Sequence, residues 1–222
     1  GLERVHALGE LAGTLYRSWW ARRPSEDGDF PAGWSIRQLA DLADSTIASV
    51  PKGSLYEPTS YVGLEHIPRR SLALNAWDNA TELGSNKLRF SRGDLLFGKI
   101  RPYFHKVSIA PFDGICSADT IVVRSNSKDY WGVVAGVVSS DAFVAHATAT
   151  SNGSKMPRAN WNVLREYPVV VPPADVARGF TEQFRRLTDL EMVLVAQIRN
   201  LRQTRDLLLP RLMSGQLELK AD

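Results

Sequence analysis

The stretch beyond Pro172-Pro173 constrains the fold more than any other. Asp175 is placed to cap a helix. Ten positions then recur in alternating steps of four and three: Phe180, Phe184, Leu187, Glu191, Leu194, Ile198, Leu201, Arg205, Leu208 and Leu212. Eight of the ten are apolar, which is a heptad seam, and such a face wants another helix. From Asp175 to about Leu209 the helix would span roughly 50 Å at about 1.5 Å per residue. One domain cannot cover that length. Phe180, Phe184, Leu187, Leu194, Ile198, Leu201 and Leu208 are therefore the expected helix-interface residues, facing a second copy of the chain or the other half of a larger subunit. The alternative is a long helix packed on its own domain. Pro210 is expected to end the helix, leaving a polar tail from Ser214.

A second, shorter helix opens the chain. Val5, Leu8, Ala12, Leu15 and Trp19 recur at helical spacing between Leu2 and Trp20, too short a run to pair with the whole C-terminal seam. A turn-rich connection with Pro24, Gly28, Pro31 and Gly33 follows and marks a boundary. The remainder, to Pro173, is mixed. Ser60–His66, Asp94–Ile100, Tyr103–Ala110, Thr120–Arg124 and Tyr167–Val171 have strand length and composition, while Tyr130–Ala149 reads as one or two buried helices. The fold class is thus α+β: a mixed, mostly-β domain with small helices, followed by a long coiled-coil helix. The divisions fall at residues 1–23, 24–173 and 174–222.

Charge is unevenly spread. From Ser25 to Ser85 four basic residues face nine acidic ones, whereas from Asn86 to Ser125 seven basic residues face three acidic ones. Such asymmetry fits one electropositive face, the footprint of a protein that holds a polyanion, unless folding interleaves the blocks. Within the basic block, Lys99 and Arg101 flank a turn at Pro102, whose ring should push Arg101 into an extended conformation. Tyr103 and His105 should share one strand face with Lys106 nearby, the alternative being a charge ladder on a solvated face. The polar loop from Thr148 to Trp161 adds Lys155, Arg158 and Asn160, residue types suited to phosphates and base edges. Lys52, Tyr56, Arg69 and Arg70 form a weaker third set.

Catalytic signatures are missing. There is no glycine-rich dinucleotide loop, no GxxxxGK[ST] phosphate loop, no GxSxG elbow, and no HExxH or Cys/His spacing for zinc. No catalytic residue, metal or cofactor is expected. Glu218-Leu219-Lys220 has the Glu-x-Lys spacing of metal-dependent nucleases but lacks a placed aspartate partner. Cys116 is the single cysteine, which excludes an internal disulfide, reads as a buried core thiol, and fits a cytoplasmic setting. No apolar run approaches the roughly 20 residues of a membrane helix.

The segments LGELAGTLYRSWW, FPAGWSIRQLADLA, YVGLEHI, GDLLFGKIRPYFHKVSIAPFDGICSADTIVVRS and SNGSKMPRANWNVLREYPVVVPP, followed by the long helix and LLLPRLMSGQLEL, cover most of the chain. In that order they resemble the DNA-specificity subunit of Type I restriction–modification systems, in its second half. The resemblance implies that the middle region is a target-recognition domain and that the helices are spacers. It implies reading of one half of a bipartite site in double-stranded DNA, without chemistry by the subunit itself. It further implies docking of methyltransferase subunits and, in the full complex, restriction subunits. Full subunits carry two recognition domains, so this chain is expected to be an excised half or a natural half-subunit that forms a homodimer. The other readings are a coiled-coil interaction protein without DNA specificity and a stand-alone nuclease.

Overall fold

A computed structural model describes residues 2–20, 31–55, 57–153 and 155–214. Tyr56, most of the turn-rich connection before Gly33, and the tail with Glu218 and Lys220 lie outside the described residues. In chain order the elements are α1 (Leu2–Trp20), β1 (Ser35–Gln38), β2 (Ala43–Ser45), β3 (Ser49–Val50), β4 (Thr59–Val62), β5 (Asp78–Ala80) and β6 (Lys87–Phe90). There follow β7 (Leu95–Gly98), β8 (Val107–Ile109), β9 (Gly114–Ser117), β10 (Thr120–Ser125), α2 (Trp131–Val138), α3 (Asp141–Ala149), α4 (Trp161–Leu164), β11 (Pro168–Val171) and α5 (Ala174–Met213).

The strands form three sheets. One is antiparallel with the order β2-β10-β7-β8, a second has the order β3-β6-β9-β4-β5 with only β4 and β9 parallel, and β1 pairs with β11. The first sheet is buried on both faces. Leu95, Phe97, Ile121 and Val123 point to a large core shared with α2, α3 and the start of α5, whereas Leu96 and Val122 point to a core shared with Val62, Phe90 and Cys116 of the second sheet. That explains why β7 and β10 are continuous apolar runs instead of alternating ones. The layers are helices, sheet, sheet. Cys116 of β9 faces the core between the two sheets, free and buried, and burial pushes its thiol up to about 12.

The two terminal helices run antiparallel. Val5 of α1 meets Val195 of α5, while Tyr16 and Trp19 meet Phe180 with ring centroids 6.4 and 5.3 Å apart. The first turns of α5 are locked to the domain. Thr181 Oγ1 accepts from Gly132 N–H at 3.0 Å and donates to the Asp129 carbonyl at 2.6 Å. Phe180 and Phe184 are fully buried in the chain's own core, so these seam residues face α1 and α2 and not a partner. Leu187 packs against the same core, and Leu194 and Ile198 against the small Val5–Ala73–Val195 cluster. Beyond Ile198 the seam is bare: Leu201 is 70 % exposed and Leu208 41 %.

Local expectations need correcting at four places. Tyr103–Ala110 is not one strand, since Pro102–Phe104 form a 3-10 turn and only Val107–Ile109 joins the sheet. Arg101 is left-handed (φ 50°, ψ 61°) and not extended, held by its N–H to the Pro157 carbonyl at 2.8 Å. Pro210 does not end α5, which continues to Met213 because one missing N–H near a helix terminus removes only a single bond. Asp175 is not the cap either. Pro173 occupies that position, and Asp175 lies in the first turn, where its charge opposes the positive end of the helix dipole. Among the described residues no single helix is long and apolar enough to cross a membrane.

Candidate nucleic-acid interface

Three segments far apart in sequence are joined by backbone hydrogen bonds into one surface. The turn after β7 lies at the centre. Lys99 donates its N–H to the Asp119 carbonyl at 2.9 Å and accepts from Ala159 N–H at 2.9 Å, and Arg101 N–H reaches Pro157 O. The polar loop is thereby stapled to it, with Ile100 and Asn152 each bridging to Arg158. On the other side Arg69 bridges to Lys106, and Arg70 N–H donates to the His105 carbonyl at 2.9 Å. Arg70, Arg101 and His105 are the non-glycine residues with positive φ among the described residues, and all three belong to this surface. A left-handed side-chain-bearing residue costs about 1–2 kcal/mol. Such strain persists where surrounding bonds over-determine it, and it clusters at functional sites.

The expected side chains divide into outward and inward groups. Arg69, Arg70, Arg101, Lys155, Arg158 and Asn160 are exposed, and Lys99 is half-buried. Arg69 lies over the Phe104 ring, 4.1 Å from its centroid, which keeps its guanidinium flat against the surface. Arg70 Nη1 is 2.8 Å from Asp141 Oδ1 on α3, and Arg158 Nη2 is 3.7 Å from Asp119. These acids pre-aim the cations without burying them. Asn160 spends its carbonyl oxygen on the N-cap of α4, accepting from Asn162 N–H at 3.0 Å, so its amide NH2 is the group left to reach outward.

His105 is turned inward, and Lys106, half-buried like Lys99, spends its ammonium on a backbone carbonyl. His105 is 7 % exposed, with Nε2 2.9 Å from the Ser139 carbonyl and Nδ1 3.4 Å from Asp141 Oδ1. The left-handed residue itself causes this, because it breaks the strand parity that would have set His105 beside Tyr103. Lys106 donates to the Leu64 carbonyl; burial pulls its ammonium below the ordinary lysine range, and Arg69 nearby adds to that. Other cations of the basic block are likewise committed. Arg124 grips the buried Asp94 through two 2.7 Å bonds, and Lys87 donates to Ser85 Oγ at 2.8 Å. Lys52 sits just after edge strand β3, its N–H bonded to Asn86 Oδ1 at 3.0 Å, outside the stapled unit.

Tyr103, expected on one strand face with His105, is instead parted from it: it is 49 % exposed and stands edge-on to Phe104 (4.8 Å). One residue beside this surface escaped the sequence reading of the site. Asp141 receives both Arg70 and His105, and the signal for it was Ser140, which caps α3 by accepting from Phe143 N–H and so places Asp141 in the first turn. Arginine forks, a lysine and a flat ring on a rigid turn suit phosphate oxygens and base edges.

No family model matches the chain. The Type I restriction enzyme EcoDI specificity subunit of Escherichia coli is 30 % identical over 192 residues, covering 82 % of this chain and 42 % of that protein. The HsdS subunit from Thermoanaerobacter tengcongensis has the same fold with a TM-score of 0.59 and 19 % identity, over 89 % of this chain and 54 % of its own. A structure from work on complex assembly and conformational transition of the type I R-M system gives 0.57 and 19 %, covering 87 % and 52 %. The S subunit from M. genitalium gives 0.53 and 12 %, covering 82 % and 46 %. The chain spans about half the length of the relatives that it matches. In sequence it is similar to a specificity subunit of a Type I restriction–modification system, and in fold to subunits of such systems.

Proposed function

We propose that the chain recognises one half of a bipartite site in double-stranded DNA, as the specificity component of a complex whose methyltransferase subunits carry the chemistry. The observation that carries this reading is the stapled surface, in which backbone bonds join the segments that bear Arg69, Arg70, Lys99, Arg101 and Arg158, with Tyr103 exposed in the same turn. Residues 24–173 then act as the target-recognition domain. The bare distal half of α5 pairs with a helix from a second copy or from the other half of a larger subunit. His105 and Lys106 contribute by holding the turn, not by touching DNA. Lys52 contributes only at the margin.

Arg101 tests the reading best, because its backbone is fixed by Pro157 while its guanidinium is exposed. In the assembled complex Arg101→Ala should weaken binding to a cognate duplex about five-fold or more, the scale of one lost charge-assisted contact of roughly 1–3 kcal/mol. Lys155→Ala should weaken cognate and unrelated duplexes alike and flatten the log–log salt slope by about 0.9. Equal affinity and equal site preference in an Arg101→Ala complex, measured by fluorescence anisotropy, would remove this surface from the interface.

A further inference from the structure

An acid is set among the arginines at the edge of the stapled surface. Asp141 opens α3 behind its cap Ser140, and its side chain is 70 % exposed. Arg70 Nη1 lies 2.8 Å from Asp141 Oδ1, and the Arg70 side chain is 67 % exposed. That bond uses one nitrogen of the guanidinium and one oxygen of the carboxylate. The other guanidinium nitrogens of Arg70 and Oδ2 of Asp141 make no hydrogen bond among the described residues.

Both side chains are located by His105. Its carbonyl accepts from Arg70 N–H at 2.9 Å, and its Nε2 lies 2.9 Å from the carbonyl of Ser139, two residues before Asp141. Its Nδ1, buried and without a hydrogen-bond partner, stands 3.4 Å from Asp141 Oδ1. Arg70 and His105 both have positive φ, a backbone that surrounding bonds must enforce. The pair is thus held in place, although an exposed ion pair adds little to stability by itself.

A carboxylate so placed repels DNA phosphates, and it can only accept hydrogen bonds. The donors that line the major groove are the amino groups of cytosine and adenine. Adenine N6 stands beside N7, an acceptor that would repel the second carboxylate oxygen, so cytosine N4 is the better match. The edge of a C·G pair continues with guanine O6 and N7, acceptors that suit the guanidinium Asp141 already holds alongside. Asp119 beside Arg158 offers no comparable pair, being 38 % exposed and 3.7 Å from Arg158 Nη2.

We propose that Arg70 and Asp141 act as one unit that reads a C·G base pair from the major groove: Asp141 accepts from cytosine N4 and Arg70 donates to guanine. This rests on the DNA-binding reading above and names one base pair of the half-site.

The test is selection of bound duplexes from a pool randomised over the site, using the complex assembled with methyltransferase subunits. The parent should enrich a C·G pair at a position where Asp141→Ala loses the preference about five-fold or more, the scale of one good base contact. On an unrelated duplex that variant should bind at least as tightly as the parent, because a negative charge leaves the interface. Asp141→Asn keeps an acceptor for Arg70 and adds a donor. It should shift that one position toward adenine, which an amide matches bidentately. Arg70→Ala should relax the same position; relaxation elsewhere would overturn the shared reading. Unchanged preference at every position in both Asp141 variants would overturn the proposal. So would equal weakening on selected and unrelated duplexes, the mark of a merely structural contact. In each of these cases a parent that enriches a sequence leaves the DNA-binding reading standing, whereas a parent complex that enriches none would bring down both.

Discussion

Phe180→Ala should lower the free energy of unfolding by about 3–5 kcal/mol, the range for removing a fully buried aromatic side chain and leaving its cavity. The site has little room to collapse. Phe180 is enclosed by Tyr16 and Trp19 of α1 and stands 5.5 Å from the Phe184 ring, which itself meets Trp131 of α2 at 6.1 Å. All of these belong to one chain, so the loss should not depend on protein concentration. Leu208→Ala provides the contrast. Its side chain is 41 % exposed, so the substitution should leave the unfolding of the isolated chain within about 0.5 kcal/mol of the parent. It should instead weaken association, read by sedimentation equilibrium. A concentration-dependent loss in Phe180→Ala would mean that the proximal seam is shared with a partner after all.

The difference between those two leucine-zipper-like positions shows what could be read from the chain and what could not. Period, length and composition are local properties, so α1 and α5 were legible from spacing, the α2–α3 pair from its alanines and valines, and the cores of β7 and β10 from strand composition. Which part of a seam is internal depends on where a second helix happens to end, and α1 is only long enough to cover the proximal half of α5. Strands such as β5, Asp78-Asn79-Ala80, run against strand composition and exist because β4 pairs with them. The site divides in the same way. Residue types at Lys99, Arg101, Lys155 and Arg158 suggested an anion-binding face, and backbone bonds do join the turn of Lys99 and Arg101 to the loop that ends at Arg158. The inward turn of His105 could not be read, because proline chemistry favours an extended Arg101 and only the distant Pro157 carbonyl overrides it. Block charge misled for a related reason: Arg124 and Lys106 count as cations in sequence, but Asp94 and the Leu64 carbonyl absorb them.

Glu191 also makes stability depend on pH, with a sign opposite to that of most surface carboxylates. Burial raises its carboxyl from about 4.5 to about 7, and the bonds from Ser71 and Ala73 only partly oppose this. The groups packed near it, Gly9 and Val5 from α1, Ser71 and Ala73 from the segment before β5, and Val195 a turn further on, carry no charge to stabilise the anion. Between those two values the folded chain binds more protons than the unfolded chain, so rising pH favours unfolding. The contribution should be fully present below about pH 4.5, decline through pH 7 and stay flat above it, by roughly 3 kcal/mol in all at about 1.36 kcal/mol per unit. Glu191→Gln removes the ionisation and keeps the size and shape of the side chain. It should match the parent near pH 4.5, exceed its stability by roughly 2–3 kcal/mol at pH 8, and abolish this part of the slope in urea titrations taken across the range. A slope that survives the substitution would place the titrating group elsewhere.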